Sequence, residues 1–183
     1  LRLDLARIAT LTHDRETALE YARAARRLAP NDSATAHELG RIALASGDPR
    51  WAESLLADAA RDLPDDAQVQ TDFAEAAYRI GRLDAAREAI RRGLAAEPAG
   101  AAREHAAAVL ALLELDNPAA ARRAIARIEK ALLAHPDCTP AAMAQAMASE
   151  AGPDSAAATR AYRALLQRYP DLAPAKRRLF LLL

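Results

Sequence analysis

Apolar residues recur along most of this chain at intervals of three and four, the spacing that lines one face of an α-helix. Leu39 and Ala43 show it, and Ala45 to Gly47 lead from that helix into Asp48-Pro49. There the aspartate can cap a following helix, while the proline occupies its first position without forfeiting a needed hydrogen bond. Asn117-Pro118 and Thr139-Pro140 repeat the device. Read in this way, the pattern predicts paired helices over 1–12 with 14–28, 33–46 with 49–62, and 66–80 with 83–96. Further pairs follow over 101–115 with 118–134 and 140–150 with 154–168, and a last helix covers 173–183.

The pairs are copies of one unit. Pro30, Pro64 and Pro98 stand 34 residues apart, Pro136 follows after 38 and Pro170 after another 34. Three further columns keep the same step: His13, Gly47 and Gly81; Ala18, Ala52 and Ala86; Ala25, Ala59 and Gly93. The units are therefore about 1–32, 33–66, 67–100, 101–138 and 139–170, with a terminal helix over 171–183. The longer fourth interval predicts that the helix over 118–134 gains up to one turn. Small residues at fixed points let helix backbones approach to about 8 Å, so Gly40, Ala52 and Ala59 are assigned to crossings. One helix pair cannot bury its own apolar face. Stacked neighbours then form one continuous core, and the whole chain counts as a single array.

Composition sharpens this picture. Of 183 residues 52% are hydrophobic, mostly alanine, while aromatics are 4% and glycines number 6, a mixture that favours helix over strand. The 25 basic residues balance the 25 acidic ones, so no net field recommends nucleic acid or an anionic membrane as partner. No apolar run approaches the roughly 20 residues of a membrane helix, which argues against direct membrane insertion. The compartment, cytoplasm or periplasm, stays open. Cys138 is the only cysteine, so no internal disulfide is available. All basic residues except Lys130 and Lys176 are arginine, which together with the alanine excess suggests a GC-rich bacterial genome. The chain opens at Leu1 and closes on Leu179-Phe180-Leu181-Leu182-Leu183, and both ends read as cuts in something longer.

In the second unit Leu39-Gly40, Ala52, Ala59 and Pro64 resemble the signature of the tetratricopeptide repeat family. Phe73-Ala74, Ala86, Gly93 and Pro98 follow it in the third, and Ala158, Tyr162 and Pro170 in the fifth. The resemblance implies an all-α fold, an α-solenoid wound as a right-handed superhelix of about five helix-turn-helix repeats. It departs from the family in lacking the large aromatic early in each first helix, and in the insertion of the fourth unit. Pentatricopeptide and HEAT-type repeats fit the proline position and the small-residue columns less well.

Candidate chemistry is sparse. Among His13, His37, His105 and His135 no pair has metal-ligand spacing; the nearest combination is His135 with Cys138, across Pro136. His37 and His105 fall at equivalent places two units apart, roughly 20 Å at about 10 Å per packed helix. Serines 33, 46, 54, 149 and 155 lie near turns or on alanine-rich helices, without the strand-to-helix elbow of a strained nucleophile. No glycine cluster forms a phosphate-cradling loop. These readings predict no enzyme, no metal and no cofactor. Glu88 with Arg92, and Arg122, Arg123 and Arg127, read as a solvated convex face; as a nucleic-acid patch they lack interleaved aromatics. Trp51 is assigned to packing between units.

By the same resemblance, a second stripe on each first helix lines a concave groove that binds peptides or folded proteins. It comprises Leu3, Arg7 and Thr10; His37, Arg41 and Leu44; Thr71, Glu75 and Tyr78; His105, Val109 and Leu112; and Met143, Met147 and Glu150. The last units turn apolar, and Val109, Leu112, Met143 and Met147 fit a core equally well. The lysine-asparagine-arginine clamp of chaperone adaptors is absent, since Asn31 and Asn117 both lie in turns, and so is an asparagine ladder. The sequence thus points to a non-catalytic scaffold that binds a protein or peptide segment. Its alternatives are a spacer or oligomerisation arm of a larger bacterial assembly or export protein, and an accessory domain of an enzyme whose catalytic part lies elsewhere. A further expectation is self-association through the C-terminal helix, whose five consecutive large apolar residues cover most of its circumference.

Overall fold

The computed structural model describes residues 2–12 and 14–183, without the side chains of Arg15 and Ala101. His13, one of the four candidate histidines and part of one repeat column, lies outside the described residues. Twelve helices and no strand occur among those described: α1 (Arg2–Leu11), α2 (Arg15–Leu28), α3 (Ser33–Ala45), α4 (Pro49–Asp62), α5 (Ala67–Arg79) and α6 (Leu83–Ala95). Then come α7 (Gly100–Leu113), α8 (Pro118–Arg123), α9 (Ile125–Ala134), α10 (Thr139–Glu150), α11 (Ser155–Arg168) and α12 (Ala173–Leu182). The fold is an all-α solenoid.

Local chemistry sets the ends of these helices. Side chains of Asp14, Asp32, Asp48, Asp66, Asn117 and Asp154 accept backbone N–H groups in the first turn of the helix each precedes. The turns from α3 to α4 and from α5 to α6 pass through Gly47 at φ 86° and Gly81 at φ 87°, the left-handed region where a side chain is strained. Before each unit's proline the chain leaves α2, α4, α9 and α11 with one N–H, of Ala29, Leu63, His135 or Tyr169, returned to the carbonyl four residues back. The third unit ends differently, with Glu97 at φ 51° and Gly100 at φ 54°, and α7 begins without a side-chain cap.

In the first three units the two helices pack as close hairpins, α1 with α2, α3 with α4 and α5 with α6, and each second helix seats the next first helix. Gly40 marks such a crossing, because a Cβ there would lie 2.5 Å from Leu56 Cγ. Trp51 packs between the first and second units, with the Arg23 guanidinium 5.3 Å from its ring centre.

The fourth unit departs from the expected single lengthened helix over 118–134. It contains two helices parted at Ala124, whose N–H reaches the carbonyls of both Ala120 (3.1 Å) and Ala121 (3.0 Å). The extra residues are thus absorbed by a tightened turn that redirects the chain. Its hairpin stays open: α10 packs against α8 and α9 and also reaches α7 and α5. With neighbours on nearly every side, α10 buries Thr139, Pro140, Ala141, Met143, Ala144, Ala146 and Met147. A helix apolar round its whole circumference belongs in such a place. The chain then curls back until α12 meets the end of α5, where Ala173 Cβ lies 3.1 Å from the position of a Cβ on Gly81.

Candidate ligand-binding groove

First helices touch their successors, α1 with α3, α3 with α5 and α5 with α7, so they form the inner row of the curve. Along that row a ladder of charged side chains crosses from unit to unit. Arg7 Nε donates to Glu38 Oε1 at 2.7 Å, and Arg41 lies 3.5 Å from Glu38 Oε2 and 3.6 Å from Asp72 Oδ2. His37 Nε2 donates to the same Asp72 oxygen at 2.7 Å, while Gln68 donates to Oδ1 at 2.9 Å. The carboxylates are the shielded members, with Glu38 at 15% and Asp72 at 19% side-chain exposure against 52% and 53% for Arg7 and Arg41. The hydrogen bond from Arg7 holds the Glu38 carboxyl below its ordinary value. Each exposed pair contributes about 0–1 kcal/mol, so the ladder orders the surface more than it stabilises the fold.

The stripe read from the sequence omits the acids of this ladder, although a signal for them exists. Asp4, Glu38 and Asp72 stand 34 residues apart, as do Arg7 and Arg41, so an arginine of one unit meets the acid 31 residues on in the next. The columns stop after the third unit, where Glu75 takes the arginine's place and Ala106 the acid's.

Beyond that point the chain covers its own inner face. Glu75 accepts a hydrogen bond from Thr139 Oγ1 at 2.5 Å and one from Arg79 at 3.2 Å. Arg79 also donates to Thr139 Oγ1 (3.1 Å) and to the Leu44 carbonyl (3.4 Å), and its guanidinium lies 4.8 Å from the Tyr169 ring centre. One side chain thereby ties the second, third and fifth units. Tyr78, Val109, Met143 and Met147 are buried in the core cluster that runs from α5 to α12, and Thr71 is buried with its hydroxyl on the Ala67 carbonyl. Burial pushes the Tyr78 hydroxyl well above its ordinary range. Of the stripe, Arg7 and Arg41 are exposed, and His37, Leu44, Glu75 and His105 are half-buried. Val109 therefore faces space that α10 fills, and Met143 and Met147 are among the α10 side chains that fill it.

Two of the histidines do meet, although nothing in their spacing suggests it. The rings of His105 on α7 and His135 at the end of α9 have centres 3.9 Å apart, tilted by 54°. Burial, and then the neighbouring imidazole, hold His105 below its ordinary value of 6.5. No group of three or more His, Cys, Asp or Glu side chains among the described residues is placed to hold a metal ion. Cys138 is buried beside Glu75, and burial pushes its thiol up to about 12. On the outer row, Ala57, Ala60, Phe73, Ala85 and Ala89 line a cleft of about 300 Å³ between α4, α5 and α6.

A sequence profile of the tetratricopeptide repeat matches residues 43–113, which span the end of α3, the whole of α4, α5 and α6, and α7. That stretch of the chain is similar to the tetratricopeptide repeat. Solved structures of the same fold include MamA, at 20% identity over 90% of this chain and 94% of its own, with a TM-score of 0.56. A tetratricopeptide repeat protein from Parabacteroides merdae ATCC 43184 aligns at 18% identity over 99% of this chain and 72% of its own, TM-score 0.55. PilF of Pseudomonas aeruginosa aligns at 16% over 96% and 86%, TM-score 0.54. At these identities the likeness is one of fold. No curated protein matches the sequence. Tetratricopeptide arrays are typically protein-interaction scaffolds. No helix among the described residues of this chain is long and apolar enough to cross a membrane.

Proposed function

We propose that this tetratricopeptide array is a non-catalytic scaffold that holds a protein or peptide segment along the inner faces of α1, α3 and α5. The observation that carries this reading is the ladder of Arg7, Glu38, Arg41, Asp72 and His37, which presents polar groups from three successive units on one surface. Ligand contact falls to Arg7, His37, Arg41 and Leu44, with Glu75 and His105 at the edge; Thr71, Tyr78, Val109, Met143 and Met147 shape the site from within. A peptide array probed with the purified chain tests it. Peptides retained by the wild type should lose about tenfold or more in affinity on Arg41→Glu, and be unaffected by Arg92→Glu on the outer row. Equal behaviour of the two variants would refute the assignment.

A second reading, an oligomerisation arm, is favoured by α12. Phe180, Leu181 and Leu183 are 80%, 69% and 81% exposed, while Leu179 and Leu182 pack on the core. Sedimentation of the wild type beside Phe180→Glu/Leu181→Glu distinguishes it: concentration-dependent association lost in the variant supports the arm, and a wild type monomeric at high concentration removes it.

A further inference from the structure

Three features meet around α7, and the charged ladder of the groove uses none of them. The helix α7 starts after a link in which Glu97 and Gly100 both adopt positive φ, without a side-chain cap, and a Cβ on Gly100 would meet nothing within 4 Å. It forms no close hairpin with α8 and α9, packing instead on α6 and more lightly on α9, α10 and α5. Its first turns reach the end of α9 through the His105–His135 ring contact.

We propose that His105 and His135 form a proton-sensitive latch that holds the start of α7 on the end of α9 when neutral and releases it when both rings are protonated. Two imidazolium ions with ring centres 3.9 Å apart repel, and the half-buried His105 loses hydration as it charges. The groups facing His105 are His135 from α9 and Glu75 and Asp72 from α5. Those carboxylates attract a first proton, but each is already engaged, Glu75 by Thr139 and Arg79 and Asp72 by His37, Arg41 and Gln68. Cys138, just before α10, lies beside the same Glu75 and stays an uncharged thiol. The arginines of α6 nearest this helix, Arg87 and Arg91, bond to Leu113 and Glu114 at its opposite end. Arg103 and Glu104 on α7 itself are exposed.

The sign follows from linkage. Since His105 sits below its ordinary value of 6.5 in the folded chain, the open form binds protons more readily. The closed form is fully favoured above that value and loses ground as pH falls through it. Opening is therefore expected as pH falls below about 6.5, before unperturbed carboxylates titrate.

Hydrogen exchange of the α7 amides at pH 7.5 and 5.0, corrected for intrinsic rates, tests the latch on the whole chain. Protection of α7 relative to α3 should fall about tenfold or more on acidification in the wild type, and stay level in His105→Gln/His135→Gln. The surface variant His135→Gln alone should raise the titration midpoint of His105 followed by NMR. The proposal is overturned if wild type and double variant lose protection alike, if neither loses any, or if the midpoint of His105 is unchanged in the single variant.

Discussion

At Gly40 the missing side chain decides how closely two helices approach. A Cβ there would lie 2.5 Å from Leu56 Cγ and 2.8 Å from Cδ2, and Leu56 is itself fully buried, so it has nowhere to retreat. Gly40→Leu is expected to cost about 1–3 kcal/mol in a denaturant melt. A change of only a few tenths would mean that α3 and α4 do not cross at this point. Such crossings are legible in the sequence because a residue needed in every unit repeats every 34 positions, as Ala52 and Ala86 do. Arg79 is not. Its partners Leu44 and Thr139 lie 35 and 60 residues away, contacts created by the curl of the whole chain and repeated nowhere else. The His105–His135 contact is hidden for the same reason: it depends on an opened hairpin that no column announces.

At the scale of the helix, aspartate caps do much of the local work. Asp14 and Asp48 occupy one column and Asp32 and Asp66 another, and each satisfies N–H groups that the helix cannot. Asp48→Ala should therefore cost about 0.5–2 kcal/mol. In the third unit the column of Asp14 and Asp48 is taken by Arg82, which leaves α6 without a side-chain cap but pairs with the nearly buried Glu53 at 2.6 Å. Restoring a cap by Arg82→Asp should thus lower stability, since it strands Glu53 beside a second carboxylate. The caps also set an acid limit. Hydrogen bonds from Thr17, Thr35 and the Ala157 N–H hold the carboxyls of Asp14, Asp32 and Asp154 below their ordinary 3.8. Their contribution is complete above that value and lost as pH falls through the lower folded values. Replacing all three with asparagine, which caps without titrating, should flatten the acid limb of a helicity titration by circular dichroism; an unchanged limb would assign the loss to other groups. Helix ends are readable from these residues and the prolines, but the break at Ala124 is not, because Ala121, Ala124 and Ile128 keep helical spacing straight through it.

Across the whole molecule, the solenoid is open along its first three units and closed on itself in the remainder. The closure rests on α10 filling the opened fourth hairpin and on Arg79, whose guanidinium reaches Glu75, Thr139, the Leu44 carbonyl and the Tyr169 ring. Buried at the start of α10, Cys138 reports on this contact, being 3% exposed with its thiol pushed up to about 12 by burial and then by the Glu75 charge. A thiol reagent can reach it only when α10 parts from α5, so its labelling rate measures that opening. Arg79→Ala removes a charged donor from a partly buried network and should cost about 1–3 kcal/mol. If the loss falls on the closure, labelling should accelerate roughly tenfold for each 1.4 kcal/mol while the helical signal by circular dichroism stays in place. Arg92→Ala, which removes an exposed pair with Glu88 on the outer row, supplies the comparison and should label at the wild-type rate. Equal rates in both variants would show that α10 is held by its apolar packing alone and that Arg79 only decorates the joint. Acceleration confined to Arg79→Ala would establish it as the tie that keeps the second half of the inner face covered.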